Sequence, residues 1–249
     1  MINPMTLSDK HILITGASSG IGRSTCILAS QLGARVTLIG RNEERLRESS
    51  EQMQPGNHRY WIQDLSKIEE IRTLVKAIAK EQGAIDGLVH CAGIGKNRPI
   101  KMTKPEFIEE NARIHYFAFA ELLRCVSERG CYNEGASMLG ISSIASIRGD
   151  RAQGAYAAAK GAMNALIHPY AKELAVKRIR LNTIAFGMVE TEMYQEFKQS
   201  GGNDEELMRN QYLGAIPVEN AAEVICFMLS DASRYMTGTN LIYDAGALS

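Results

Sequence analysis

Ser143, Tyr156 and Lys160 bring a hydroxyl, a phenol and an ammonium into one short stretch of the chain. Tyr156 and Lys160 are four residues apart, so a helix through them sets both on one face a turn apart, and the lysine charge is expected to favour the phenolate. An unperturbed phenol, with a pKa near ~10, accepts protons poorly at neutral pH, so acid and base work on a carbonyl or alcohol oxygen needs a cation beside it. Spacing alone leaves Tyr-x-x-x-Lys a common pair of helix neighbours. The elements around it give it meaning.

Near the N-terminus the apolar run His11-Ile12-Leu13-Ile14 leads into Thr15-Gly16-Ala17-Ser18-Ser19-Gly20-Ile21-Gly22, a helical pattern from Arg23 to Gly33, and the β-rich run Arg35-Val36-Thr37-Leu38-Ile39. Strand, glycine turn, helix and strand make a βαβ unit. Gly16 permits the tight turn, Gly20 lets the backbone approach a pyrophosphate, and Gly22 allows the helix to pack on the strand while the first helical N–H groups face the phosphates. The spacing is G-x-x-x-G-x-G rather than the commoner G-x-G-x-x-G.

Apolar β-rich runs recur at 11–15, 35–40, 58–62, 85–90, 136–141, 179–185 and 240–243, separated by helical patterns at 20–33, 42–53, 67–82, 104–129, 154–177 and 219–230. This alternation predicts an α/β fold with a doubly wound parallel sheet of about seven strands, Rossmann-type, with helices on both faces and a ligand crevice beyond the carboxyl ends of the strands. The 249 residues, 45% of them hydrophobic, are expected to form a single domain over 1–249, with the segment 192–216 as a substrate lid. The 28 basic and 28 acidic residues cancel without a basic run, which excludes an obvious nucleic-acid or anionic-membrane surface. Five cysteines without C-x-x-C spacing read as reduced thiols in the cytoplasm and give no metal site. The N-terminus lacks a signal-peptide pattern, and no apolar run approaches the ~18 residues of a spanning helix.

Taken together, the glycine turn and Tyr156-x-x-x-Lys160 resemble the short-chain dehydrogenase/reductase family, in its single-domain branch similar to 3-oxoacyl-acyl-carrier-protein reductases. Further matches follow in order: Asp64, Ala92–Gly93, Ser143 thirteen residues before Tyr156, Asn182, Gly187, Thr191, Gly238 and Asp244-Ala245-Gly246. The resemblance implies an oxidoreductase that moves hydride between a nicotinamide cofactor and a carbonyl or secondary alcohol. Tyr156 would be the general acid and base, Ser143 would bind the substrate oxygen, and Lys160 would hold the nicotinamide ribose and stabilise phenolate. It implies a cofactor site of Gly16, Ser18, Ser19, Gly20, Ile21, Gly22, Arg41, Asp64, Leu65, Ala92, Gly93, Tyr156, Lys160, Gly187, Val189 and Thr191. It also implies a homotetramer or homodimer using the 104–129 and 154–177 helices. A dinucleotide-binding redox sensor or scaffold with little turnover is the alternative.

Cofactor choice follows from charge. The second strand ends in Gly40-Arg41, with no carboxylate to repel a 2′-phosphate and a guanidinium able to fork onto one, so NADP(H) is expected over NAD(H). Arg23, just past the glycine turn, is a second candidate for assisting there, though such a residue is more often solvated.

Three positions depart from the family pattern. His90-Cys91 replaces a pair of asparagines and questions the hydrogen bonds that fix that strand. Phe186 replaces a proline before Gly187, which should loosen the turn and add an aromatic wall. His115 falls where the family keeps an asparagine that anchors a relay water, with Asn111 a turn earlier as the second candidate. A relay through His115 would bring in a group titrating near ~6.5 and an acidic limb in the pH–rate profile.

Overall fold

The computed structural model describes residues 3–199 and 210–249. Seven parallel strands form one sheet in the order β3-β2-β1-β4-β5-β6-β7. They are β1 (His11–Thr15), β2 (Arg35–Gly40), β3 (Arg59–Ile62), β4 (Ile85–His90), β5 (Tyr132–Ser143), β6 (Arg180–Phe186) and β7 (Asn240–Tyr243). The helices between them are α1 (Gly20–Gln31), α2 (Glu43–Glu51), α3 (Ile71–Gln82), α4 (Pro105–Ala112), α5 (Ala118–Val126), α6 (Gly154–Ala175), α7 (Glu192–Gln199) and α8 (Val218–Leu229). The order reverses between β1 and β4, and a crevice opens beyond the strand ends at that point, as expected for a doubly wound sheet.

The central strands are buried along most of their length because both faces are covered, and successive residues feed opposite cores. In β1, Leu13 packs with α3, α5 and α6 through Leu74, Phe119 and Met163. Its neighbours Ile12 and Ile14 pack with α1, α2 and α8 through Cys26, Leu46 and Ile225. Burial on both faces holds the strand ends rigid, and every loop of the site hangs from one of those ends.

Two elements differ from the sequence reading. The stretch 104–129 is not one helix: α4 and α5 are joined by a π-helical turn, Arg113–Phe117, that carries His115. One extra residue per turn leaves the apolar pattern nearly unbroken, so periodicity does not reveal it, and such turns concentrate at functional sites. The segment 192–216, which lies outside the expected helical runs, carries a helix. It begins with α7 and ends with Ile216 in a parallel bridge to Val189, while 200–209 lie outside the described residues.

Candidate active site

The first turn of the site is built by close backbone approach. Gly16 has φ 65° and sits so near the next strand that a Cβ there would stand 2.8 Å from the Ala92 nitrogen. A Cβ on Gly22 would strike the Gly16 carbonyl. Those two positions therefore require glycine. Arg23 is not solvated, contrary to expectation: its guanidinium donates to the Ser18 carbonyl at 2.7 Å, Ser49 Oγ at 2.9 Å and Glu48 at 3.2 Å, stapling the glycine turn to α2.

Ser143 ends β5, and Tyr156 and Lys160 lie on the first turns of α6, which packs against that strand end. Ser143 Oγ accepts from the Ala145 N–H at 3.2 Å, and the Ser143 hydroxyl favours the ionised form of Tyr156. Ser142 also lines the crevice, but its Oγ is buried without a hydrogen-bond partner, in keeping with strand alternation. Burial raises the Tyr156 pKa, and Ser143 only partly opposes this. Lys160 does not reach the phenol. Its Nζ donates to the Ile141 carbonyl at 2.6 Å and lies 5.7 Å from the Tyr156 ring centre. Burial brings the Lys160 pKa down to about 7. In the protein by itself, then, the phenol holds its proton, and the expected lysine-stabilised phenolate is not what this arrangement favours.

The two histidines are both buried and both neutral. His90 Nε2–H donates to the Ile114 carbonyl at 3.0 Å, so Nδ1 must accept from the Thr15 hydroxyl, also at 3.0 Å, and Thr15 Oγ1 in turn accepts the Ala92 N–H at 3.2 Å. The chain of bonds ties β1, β4 and the π turn together, so the strand-fixing bonds are made by imidazole in place of an amide. Burial, with the Lys160 charge, lowers the His90 pKa to about 3.

His115 stands edge-on to Tyr156 and covers Gly93, where a Cβ would collide with the imidazole. Its Nε2 lies 3.0 Å from the Ile94 carbonyl and 3.3 Å from the Ile94 nitrogen, and the shorter contact assigns the proton to Nε2. Nδ1 is then a bare acceptor without a partner among the described residues. Burial and the Lys160 charge push its pKa well below 6.5, which overturns the expectation of a group titrating in the relay. Asn111 spends its amide N–H on the Phe107 carbonyl and does not line the crevice.

The far wall is the loop 187–191 between β6 and α7. Thr191 Oγ1 accepts from Tyr194 N–H at 3.4 Å, and its methyl would touch a Cβ on Gly20. Phe186 is buried edge-on against Tyr243 as the last residue of β6. The turn after it is not loose, because the buried Gln211 amide accepts from Met188 N–H at 2.8 Å and donates to Met188 O at 2.9 Å. Asn182, Gly238 and Asp244 stand outside the crevice. Asn182 bonds the Met236 carbonyl and Thr239 N–H, Gly238 N–H bonds Leu181, and Asp244 caps Gly246 and Leu248.

On the adenosine side, Arg41 is exposed and acts electrostatically on Asp64. Burial would raise the Asp64 pKa, but bonds from Ser66 and the charges of Arg41 and Lys67 outweigh it and lower the value. Arg45, one helical turn beyond Arg41, forms an ion pair with Glu192 at the start of α7, spanning the mouth. Sequence spacing from Arg41 could have pointed to Arg45. Nothing in the sequence marks Gln211.

All these pieces converge on one crevice of about 1560 Å³, lined by Ser143, Tyr156, Lys160, His115 and every residue of the expected cofactor set. No group of metal-ligating side chains occurs among the described residues, and no helix there is long and apolar enough to cross a membrane.

A doubly wound sheet with this glycine turn and this serine, tyrosine and lysine is the framework of a nicotinamide-dinucleotide oxidoreductase. The chain belongs to the short-chain dehydrogenase/reductase family and is an NAD(P)-dependent enzyme of it. A family model described as enoyl-(acyl carrier protein) reductase matches residues 16–247. The chain is 30% identical to the 3-oxoacyl-acyl-carrier-protein reductase of Mus musculus over 240 residues, 96% of this chain and 98% of that protein. It is likewise 30% identical to the reductase FabG of Thermotoga maritima, over 97% and 99% of the two chains. Among solved structures it is similar to a short-chain type dehydrogenase/reductase from Mycobacterium ulcerans, with TM-score 0.88, 28% identity and 98% and 91% coverage. An NADPH-bound short chain oxidoreductase from Pseudomonas aeruginosa PAO1, with an atypical catalytic center, superposes at TM-score 0.88 with 25% identity and 97% coverage of each chain.

Proposed function

We propose that this enzyme is an NADPH-dependent reductase of a carbonyl compound, working in reverse on the secondary alcohol, with Tyr156 as general acid and base. The observation that carries the reading is the convergence of Ser143, half-buried Tyr156 and buried Lys160 on one crevice, with Lys160 a turn behind the phenol on the same helix. Gly16, Ser18, Ser19, Gly20, Ile21 and Gly22 would hold the pyrophosphate. Arg41, Asp64 and Leu65 would hold the adenosine end, and Ala92, Gly93, Lys160, Gly187, Val189 and Thr191 the nicotinamide riboside. The crowding at Gly16 and the shared crevice support that assignment. The bound cofactor supplies the hydride. Ser143 orients the substrate oxygen, and Tyr156 delivers its proton to that oxygen as the alcohol forms.

Tyr156 must then be reprotonated. In this reading a water reaching the buried, unpartnered Nδ1 of His115 would link it with Lys160, whose charge acts on the imidazole, in the place of the family asparagine. Preference for the phosphorylated cofactor rests on Arg41 and on the absence of a carboxylate at Gly40. The lid runs over 192–216, with its segment 200–209 outside the described residues. Exposed Ile108, Phe117 and Tyr170 on the 104–129 and 154–177 faces support assembly into a homotetramer or homodimer.

The test is NADPH oxidation against a panel of carbonyls that begins with 3-oxoacyl thioesters, run on wild type and Tyr156→Phe. The variant should lose ~10²-fold or more in turnover while binding NADPH normally. A variant that keeps most of its activity would remove Tyr156 from the mechanism.

A further inference from the structure

The loop 187–191 is held by one side chain that belongs to a different segment. Gln211 is 3% exposed, and its carboxamide makes three hydrogen bonds, all to backbone. Oε1 accepts the Met188 N–H at 2.8 Å, while Nε2 donates to the Met188 carbonyl at 2.9 Å and to the Gly214 carbonyl at 2.7 Å. By pairing with both polar groups of one residue, the amide acts as a strand neighbour would, extending the single Val189–Ile216 bridge by one position. Oε1 also lies 2.7 Å from where a Cβ on Gly187 would be, so the loop and the amide are mutually fitted. Around this clamp, Ile216 N–H donates to Met188 O at 2.9 Å, and Glu190 N–H donates to Ile216 O at 2.9 Å. The clamp grips the loop just where proline is missing and Phe186 is packed away into the core.

We infer that Gln211 is a positioning residue for hydride transfer: it fixes the backbone of Met188, and through it the Gly187–Thr191 loop, at the height the nicotinamide ring requires. The inference rests on the assignment of that loop to the nicotinamide made above. Gln211 lies in the crevice wall, and in this role it acts through the Met188 backbone. It couples the loop to 210–216, the chain that returns from the lid, so the loop and the lid's return share one anchor.

A carboxamide is the only side-chain group of this size that both accepts from Met188 N–H and donates twice to carbonyls. Gln211→Met keeps the volume and removes all three bonds. Gln211→Glu keeps the acceptor and turns both donations into carboxylate–carbonyl repulsion. Two ligands separate positioning from folding: NADPH, and 2′-phospho-ADP-ribose, which is the same molecule without nicotinamide. Dissociation constants for both, by fluorescence and calorimetry, give a ratio that isolates the nicotinamide contribution.

In each Gln211 variant that ratio should shift against NADPH by ~10-fold or more, as the loss of two to three buried hydrogen bonds implies, with 2′-phospho-ADP-ribose binding close to wild type. Turnover should fall further than KM rises. An unchanged ratio, whether both affinities hold or both fall in step, overturns the inference. Thr191→Ala, measured alongside, tells two failures apart. If Thr191→Ala shifts the ratio and the Gln211 variants do not, only the role of Gln211 is wrong. If neither shifts it, the loop does not hold the nicotinamide and the assignment itself falls.

Discussion

The rings of His115 and Tyr156 meet edge to face, their centres 5.3 Å apart and their planes at 83°. That contact brings an imidazole within reach of the proton-transfer chemistry while burial and the Lys160 charge keep it neutral. A neutral imidazole with Nε2–H on the Ile94 carbonyl offers Nδ1 as an acceptor only, which is what a bridging water donated from Lys160 needs.

His115→Asn should therefore keep activity, because an amide oxygen also accepts, whereas His115→Phe should cut turnover by ~10-fold or more by removing the acceptor. Since the wild-type imidazole stays neutral, the profiles of wild type and His115→Asn should overlay in shape across pH 5 to 9. An acidic limb that vanishes in His115→Asn would mean that the histidine titrates after all. Equal rates in His115→Phe and wild type would mean that it only packs.

Acid stability follows from the same burial. His90 falls to about 3 in the folded protein from an ordinary 6.5, and His115, His11 and His58 are also lowered, chiefly by desolvation. Below pH 6.5 the unfolded chain binds protons that the folded chain refuses. The stability contributed by neutral His90 is therefore complete above 6.5 and is lost as pH falls through the window from 6.5 to about 3. Each fully buried histidine should remove about 1.4 kcal/mol per pH unit in that window. Urea unfolding at pH 7.5, 6.5 and 5.5 measures the slope, and His90→Asn should flatten it by His90's share. A wild-type stability that stays level from 7.5 to 5.5 would contradict the neutral assignment.

The strand and helix alternation, the glycine turn and the Ser143, Tyr156 and Lys160 set were legible because local spacing encodes them. Four residues make one helical turn, and a tight phosphate turn needs glycine at fixed offsets. The π turn at Arg113–Phe117 was not legible, because one extra residue shifts the helical phase without breaking the apolar pattern. The direction of Lys160 toward the Ile141 carbonyl and the protonated state of Tyr156 depend on burial, which comes from packing of α6 on β5 rather than from neighbours in sequence. Gln211 clamps residues 23 positions away, and Arg45 pairs with a residue 147 positions away. Pairings over such distances leave no trace in one sequence.

The Arg45–Glu192 pair joins α2 to the first residue of α7 across the crevice mouth, so a long ligand lying in the crevice must pass beneath it or break it. Both side chains are substantially exposed, and the pair should be worth a few-fold in rate rather than a large barrier. Glu192→Gln should speed cofactor release by roughly 2- to 5-fold, and raising salt should speed release from the wild type but not from the variant. Stopped-flow displacement of bound NADPH reads both effects. Identical salt dependence in the two proteins would show that the pair does not gate the mouth.

Lys160 yields the last prediction. Its amine is buried, and burial brings its pKa down to about 7 against an opposing electrostatic effect from Cys91. At pH 8 a group with that pKa is roughly one-tenth protonated. A dinucleotide brings phosphate anions and ribose hydroxyl oxygens into the crevice that Lys160 lines, and both favour the charged lysine. Binding should thus raise the lysine pKa and draw in a proton. The other buried groups beside Lys160 do not compete at pH 8. Tyr156 is raised above 10, Cys91 stands at about 12, and His90 and His115 are held far below. Calorimetry of NADPH binding at pH 8, in buffers of different ionisation enthalpy, should report an uptake approaching ~0.9 proton, and Lys160→Met should abolish it. At pH 6 the lysine is already charged and its share of the uptake should fall to about 0.1. An uptake of zero at pH 8 in the wild type would mean that Lys160 is already fully charged in the free enzyme, and that the proton it passes toward Tyr156 is in place before the cofactor arrives.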